Sequence, residues 1–306
     1  MTLPAGHVAG AFAPLEALPL LVAAALYAKR TSTLAGGRNP VPLWRQWCFA
    51  GGLLLIAVAL FSPLGHMSEE LLTAHMVEHL LIADLAALLL VLGLTGQLLQ
   101  PILSRPLLGR LRLLGHPAVA LPLWALDLYL WHASFLYDAA YGPSPIHALE
   151  HTMFLSFGVI MWMPLFGPLP TPSWFTDAWK VGYAVAVRFT GAVLANVLMW
   201  SGTVLYDGYA EGERHWDVSP LTDQGTAGVV MMVEGSLVTL AVLAWFFLGW
   251  ARRDSERQRL LDLAESRGVA LDEARAARAV AAGEGPRLER RLREGDGLAG
   301  ANADSS

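Results

Sequence analysis

Residues 71–94 read LLTAHMVEHLLIADLAALLLVLGL, an almost unbroken apolar run that opens on His75-Met76-Val77-Glu78-His79. The run exceeds the roughly 20 residues a helix needs to cross the hydrocarbon core of a bilayer, so it predicts a membrane-spanning helix. Positions i, i+3 and i+4 are neighbours on a helix, which puts imidazole, carboxylate and imidazole on one face of its first turns. The same order returns in His147-Ala148-Leu149-Glu150-His151, at the head of a second apolar run over 147–166. Each copy is a cluster of metal-binding donors, and the repetition argues against accident.

The rest of the chain agrees with a membrane reading. Of its 306 residues 55% are apolar and only 15% charged, a balance rare in a soluble domain of that length. The mean hydropathy is +0.45. Seven stretches are long and apolar enough to span, at about 11–28, 47–64, 71–94, 118–138, 147–166, 181–204 and 226–249. The first is interrupted by Pro14, Glu16 and Pro19. It lacks a basic leader followed by a small-residue cleavage site, so it reads as a retained span. The expected fold is therefore all-α, a polytopic membrane protein of seven transmembrane helices, with the lipid bilayer as its surroundings and no nucleic-acid partner. The single cysteine, Cys48, excludes an intrachain disulfide and any paired-thiolate metal site. Metal binding would have to use His, Met, Asp or Glu.

Loop charges orient the spans. Lys29, Arg30, Arg38 and Arg45 fall between spans 1 and 2, Arg105, Arg110 and Arg112 between spans 3 and 4, and Lys180 before span 6. The connections 65–70 and 139–146 carry no Lys or Arg, and 205–225 carries only Arg214 among five acidic residues. By the positive-inside rule the N-terminus is outside and the C-terminus cytoplasmic, which requires an odd number of spans. Two units follow: a seven-helix transmembrane domain over 1–250 and a charged cytoplasmic tail over 251–306. The tail holds eleven Arg against eleven acidic residues and no aromatic residue. Arg252 to Ala282 reads as helical, and the glycine-punctuated stretch from Gly283 to Ser306 as disordered.

With the orientation set, the unusual residues converge on the outer side. His75, Glu78 and His79 fall at the outer end of span 3, His132 at the outer end of span 4, and His147, Glu150 and His151 at the start of span 5. Asn196, Met199 and Trp200 lie in the outer part of span 6, and Met231, Met232 and Glu234 in the outer part of span 7. Ionisable groups inside a membrane are costly and normally face partners, water or a bundle interior. Four histidines from two helices, two glutamates and His132 offer donors for one metal or for two, with Glu78 and Glu150 as ligands or as acceptors that orient a histidine. Thioethers at Met76, Met153, Met231 and Met232 would favour copper, above all Cu(I), although methionine at helical spacing more often packs than ligates. The plainer reading of the doubled motif is interhelical hydrogen bonding, which leaves the burial of two imidazoles and a carboxylate per helix without a neutralising cation. His7, His66 and His116 read as exposed or structural, Asp127 and Arg188 as a structural pair, and Trp131, Trp162, Trp200 and Trp250 as members of the interfacial aromatic belts.

The run from Ala74 to Leu81, Trp131-His132 with Leu136-Tyr137-Asp138-Ala139-Ala140, His147 to His151, Met161-Trp162-Met163-Pro164 and Asp223-Gln224-Gly225 with Gly228 and Met231 resemble the multispanning CtaG-type cytochrome c oxidase assembly factors. The resemblance covers about 45–250. It implies a seven-helix protein of the bacterial cell membrane, needed for maturation of haem-copper oxidase, with copper delivery or insertion as the favoured activity. Haem-copper oxidase subunits, and an extracytoplasmic copper chaperone, are the partners it implies. It marks His75, His79, His132, His147 and His151 as the family's histidines, with Glu78 standing where the family commonly has Gln. The role is then to hold and hand over metal, without turnover of a substrate. Three readings compete. HxxEH is also a zinc metallohydrolase signature with Glu as general base, though such an enzyme needs one copy and an open coordination position. A dinuclear oxidoreductase bridged by Glu78 and Glu150 is the second, and a haem protein using one histidine from each motif the third.

Overall fold

The computed structural model describes residues 9–37, 39–105, 108–142 and 145–294, with side chains from Ala17 onward. His7, Arg38 and the tail beyond Glu294 lie outside the described residues. The described chain is helical and contains no strand. Seven longer helices are described up to Ser266: α1 (Ala9–Ala35), α2 (Leu43–Phe61), α3 (Leu72–Gly93), α4 (Pro117–Trp131), α5 (Pro145–Phe166), α6 (Asp177–Trp200) and α7 (Pro220–Ser266). Five of them, α2, α3, α5, α6 and α7, are long and apolar enough to cross a membrane. A sixth span results if α4 is joined to the 3-10 turn Gly109–Gly115 that precedes it at a 79° bend. The chain divides into two compact units, 1–239 and 240–306, so the division falls within α7 and ahead of the expected boundary at 250.

In the first unit, α3 is the central element and changes pitch along its length. Leu72–Leu80 is α-helical, Leu81–Ala86 widens to a π-helix, and Ala87–Gly93 returns to α. A π segment inserts a residue into the ladder, which re-aims every side chain that follows and is frequent beside functional sites. Both ends of α3 are tied down from afar. At its start the Asp223 carboxylate accepts from the backbone N–H groups of Leu72 (2.7 Å) and Thr73 (3.0 Å), satisfying donors that would otherwise be orphaned. At its end Tyr27 donates to the Gly93 carbonyl (2.9 Å), and Arg45 donates to the carbonyls of Leu92 (2.9 Å) and Leu94 (2.8 Å).

α3 and α5 run side by side in the same direction. Gly158 makes this possible: a β-carbon there would collide with the carbonyl oxygen of Ala83. Small residues at such crossings let membrane helices approach closely enough for backbone contact. One turn further along, Trp162 donates its indole N–H to the Asp84 carboxylate (3.0 Å). The apolar core packs around the opposite ends of these helices, where Leu72, Met76, Leu128, Trp131, Phe154 and Leu198 meet.

Several expectations need correction. The fourth span is not continuous over 118–138: α4 stops at Trp131, and Ser134–Ala140 forms a separate short helix. The break falls at His132, whose ring Nδ1 bonds the Leu128 carbonyl (2.7 Å) while its own carbonyl accepts from the Tyr206 hydroxyl (2.9 Å). These two bonds replace the helical ladder at that point. Trp131 and Trp162 are buried inside the bundle, so neither belongs to an interfacial belt, whereas Trp200 and Trp250 are exposed. Asp127 and Arg188 do not pair. Arg188 instead donates to the Met232 carbonyl (3.1 Å), the Met232 sulfur (2.5 Å) and the Ser236 hydroxyl (2.9 Å), joining α6 to α7. His66 is exposed, and His116 caps α4 by accepting from the Ala118 N–H (3.2 Å).

In the second unit α7 is followed by α8 (Glu273–Ala281) and α9 (Gly285–Glu294). The α9 helix lies in the stretch that composition assigns to disorder. Leu288 and Leu292, four residues apart, pack with Leu260, Ala264 and Val280 into a small apolar core, and that burial orders the segment. Gly268 (φ 65°) and Gly283 (φ 71°) supply the left-handed residues that end α7 and α8, so glycine here stops helices instead of dissolving them.

Candidate metal centre

The two HxxEH motifs occupy the first turns of α3 and α5, and the parallel packing of those helices sets them face to face. Each position of one motif meets a fixed position of the other. The first histidines, His75 and His147, stack with ring centroids 5.5 Å apart, and the last histidines, His79 and His151, meet edge-on at 5.2 Å. The carboxylates cross over: Glu150 Oε2 lies 4.0 Å from His79 Nε2, and Glu78 Oε2 lies 3.8 Å from His151 Nε2. The pairing is reciprocal, as the near-identity of the two motifs demands.

Two donor groups result. His75, His79, His147 and Glu150 offer one ligand atom each, all within 4.8 Å of one another, and so do Glu78, His147 and His151. Nitrogen donors take roughly 2.0–2.1 Å to a metal, so either group can close on an ion by small side-chain movements. Four members of the cluster are shielded from solvent, with Glu150 1% and Glu78 2% exposed and His75 and His79 5% each, while His147 and His151 are half-buried. His75 Nε2, both ring nitrogens of His79, His151 Nε2 and Glu150 Oε2 are buried without a hydrogen-bond partner. Buried polar atoms are almost always paired, because leaving one unpaired costs about 1–3 kcal/mol. So many in one place fit a cation that uses these lone pairs.

The remaining sequence candidates take other positions. His132 sits beside the cluster against Phe154 (6.0 Å between rings) and is not a member of either donor group; its Nε2 is also buried without a hydrogen bond. Met76 and Met231 are buried in the apolar core, and Met153 and Met232 pack against it. Glu234 faces Asp84 and Arg188. Asp84, the acid that joins this second polar group to Trp162, was not singled out by sequence reasoning; its signal is a lone carboxylate within the run 80–94.

Aromatic residues wall the cluster toward the loop side. Tyr137 and Tyr209 lie 5.4 and 6.2 Å from the His75 ring and share a buried hydrogen bond of 2.6 Å, while Tyr206 stacks on Tyr137 at 3.9 Å. Burial raises the hydroxyl pKa of Tyr206 and Tyr209 above the ordinary phenol range. Burial does the same for Tyr141, helped by Glu69, Glu211, Glu213 and Glu70 around it. All three phenols therefore stay protonated near neutral pH, as neutral donors.

The loop carrying Tyr206 and Tyr209 is held by the start of α7. Gln224 accepts from the Leu205 N–H (2.8 Å) and donates to the Thr203 carbonyl (3.2 Å). The preceding residue, Asp223, caps α3, and Gly228 lets α7 lie against the Ala195 carbonyl and Met199 of α6 (2.6–2.9 Å to the site of a β-carbon). Asp223, Gln224 and Gly228 are thus the clamp that places motif helix, loop and α6 around one site.

The family model described as cytochrome c oxidase caa3 assembly factor (Caa3_CtaG) matches residues 21–253. The chain belongs to this family. Both HxxEH motifs, His132 and the Asp223-Gln224 clamp lie inside the matched region, and α8 and α9 lie beyond it. As a cytochrome c oxidase assembly factor, the protein has oxidase as its partner, and its apolar helices make it a membrane protein. No curated protein and no solved structure matches the chain.

Proposed function

We propose that this assembly factor binds copper at the composite site formed by His75, His79, His147 and His151 with Glu78 and Glu150, and passes it to a copper centre of the maturing oxidase. The observation that carries the reading is the reciprocal crossing of the two motifs, in which each glutamate faces the other motif's histidine. Neither motif is a self-sufficient site of the hydrolase kind, where one helix supplies both histidines and the general base. Copper rests on the family's role in oxidase assembly, since imidazole and carboxylate suit copper and zinc alike. The methionines add no support, since Met76, Met153 and Met231 pack in or against the apolar core and the Met232 sulfur accepts from Arg188.

In this reading the metal is cargo. Neutral imidazoles supply nitrogen donors, the two carboxylates offset the charge of a cation that would otherwise be buried at high cost, and the tyrosine wall keeps bulk water from the ligands. His132, at the break after α4, stands by as an alternative donor during transfer. We further propose that α1 and the bent pair before α4 complete seven spans, with the N-terminus outside, the site at the outer face of the bacterial plasma membrane and the tail in the cytoplasm. An extracytoplasmic copper chaperone is the expected source, and oxidase subunits the recipient. Elemental analysis of protein purified from membranes tests the reading: copper should be present, and oxidase activity should be lost in a strain lacking the gene. A Soret band, or zinc with peptidase activity lost in Glu78→Gln, contradicts it.

A further inference from the structure

The tail carries a second concentration of charge, outside the family match and separate from the metal site. In the unit 240–306, α8 and α9 lie on α7 through the small core of Leu260, Ala264, Val280, Leu288 and Leu292. Gly285 approaches α7 so closely that a β-carbon would strike the Glu256 carboxyl group. Between α8 and α9 this packing leaves a cleft of about 340 Å³ lined by Arg275, Arg278, Arg287 and Arg291, with Glu284 and Leu288.

These arginines differ from the others in the tail. Arg257 bonds Asp254 (2.8 Å) and Glu273 (3.2 Å), Arg259 meets Glu289 (3.4 Å), and Arg293 bonds Glu289 (2.8 Å). In the cleft only Arg287 has a carboxylate, Glu284 at 4.0 Å, while Arg275, Arg278 and Arg291 form no ion pair among the described residues. Four guanidinium groups against one carboxylate repel one another, an arrangement that lowers stability unless an anion enters. The planar guanidinium fork matches phosphate oxygens two at a time, and several forks around one pocket are the usual protein answer to a phosphate group.

The tether says which phosphate. α7 continues without a break from its apolar segment through the exposed Trp250 to Glu256, the residue against which α9 begins. Six residues of helix advance about 9 Å, so the cleft's root lies roughly a Debye length from a bilayer surface at the Trp250 level. Basic clusters immediately beyond a last span read as sites for anionic head groups. We infer that the cleft between α8 and α9 binds the phosphate head group of an anionic membrane phospholipid, fastening the tail to the bilayer surface. The inference does not depend on the metal reading.

The test uses the full chain, solubilised with equal amounts of phosphatidylglycerol and phosphatidylcholine, with retained lipid counted by native mass spectrometry. The parent protein should retain phosphatidylglycerol selectively. Replacing Arg275, Arg278 and Arg291 together by Gln should lower that retention about tenfold or more. A charge-matched control with Arg267, Arg290 and Arg293 replaced by Gln should retain lipid as the parent does. A Lys triple at the cleft positions, which keeps charge and helices, should fall between parent and Gln triple. Equal retention by parent, Gln triple and Lys triple overturns the inference, as does an equal loss in the control. Binding of inorganic phosphate to the cleft arginines without any selectivity for phosphatidylglycerol also overturns it, by assigning the cleft to a soluble ligand.

Discussion

The interface between α3 and α5 has two halves that treat polar groups in opposite ways. In the half beyond Gly158, the polar groups are matched: Trp162 donates to Asp84, and the carbonyls at the end of α3 accept from Tyr27 and Arg45. In the half holding the motifs, five side-chain nitrogen and oxygen atoms of His75, His79, His151 and Glu150 are buried without a hydrogen bond. The same two helices and the same close approach produce both. Packing therefore does not explain the unsatisfied half, and a membrane interior that offers no water makes it expensive. The contrast teaches that the deeper half builds the fold, while the motif half gathers donors that could hold a metal ion.

The contrast breaks most completely at Gly158. Gly158→Val should force α3 from α5 at the Ala83 carbonyl, at a cost above the usual overpacking range of about 1–3 kcal/mol. Recovery of folded protein and bound copper should fall together, read by size exclusion and elemental analysis. Asp223→Ala is next. It removes the cap that seats the first turn of α3, with an expected loss of about 1 kcal/mol in stability and a clear drop in metal affinity, because the motif sits on the turn that frays. The smallest change tests the other half. Trp162→Phe deletes one indole bond, worth about 0.6 kcal/mol between membrane helices, and should lower the melting temperature slightly while leaving copper content unchanged.

Local pattern carried much of this. The i, i+3, i+4 spacing placed three donors on one helix face twice, and the two helices that carry them touch at Gly158 and Ala83. What pattern could not carry was non-local. The cap on Leu72 comes from Asp223, 151 residues away, and no property of either segment alone announces it. Hydropathy marks a span without saying which face meets protein, so Trp131 and Trp162 read as interfacial although they are buried. The break at His132 escapes for a related reason, since neither proline nor glycine marks it and side-chain bonds to Leu128 and Tyr206 make it. Asp84 escapes as well, because a single carboxylate in the apolar run 80–94 matches no spacing pattern and its partner Trp162 lies 78 residues away.

The central claim is that both motifs build one metal site. Copper content of the purified double variant His75→Ala/His151→Ala tests it most directly, because each substitution removes a donor from a different group of the composite site. The account predicts that copper is lost while the protein remains folded through the deeper half of the α3–α5 interface. Retention of stoichiometric copper by that variant would contradict it.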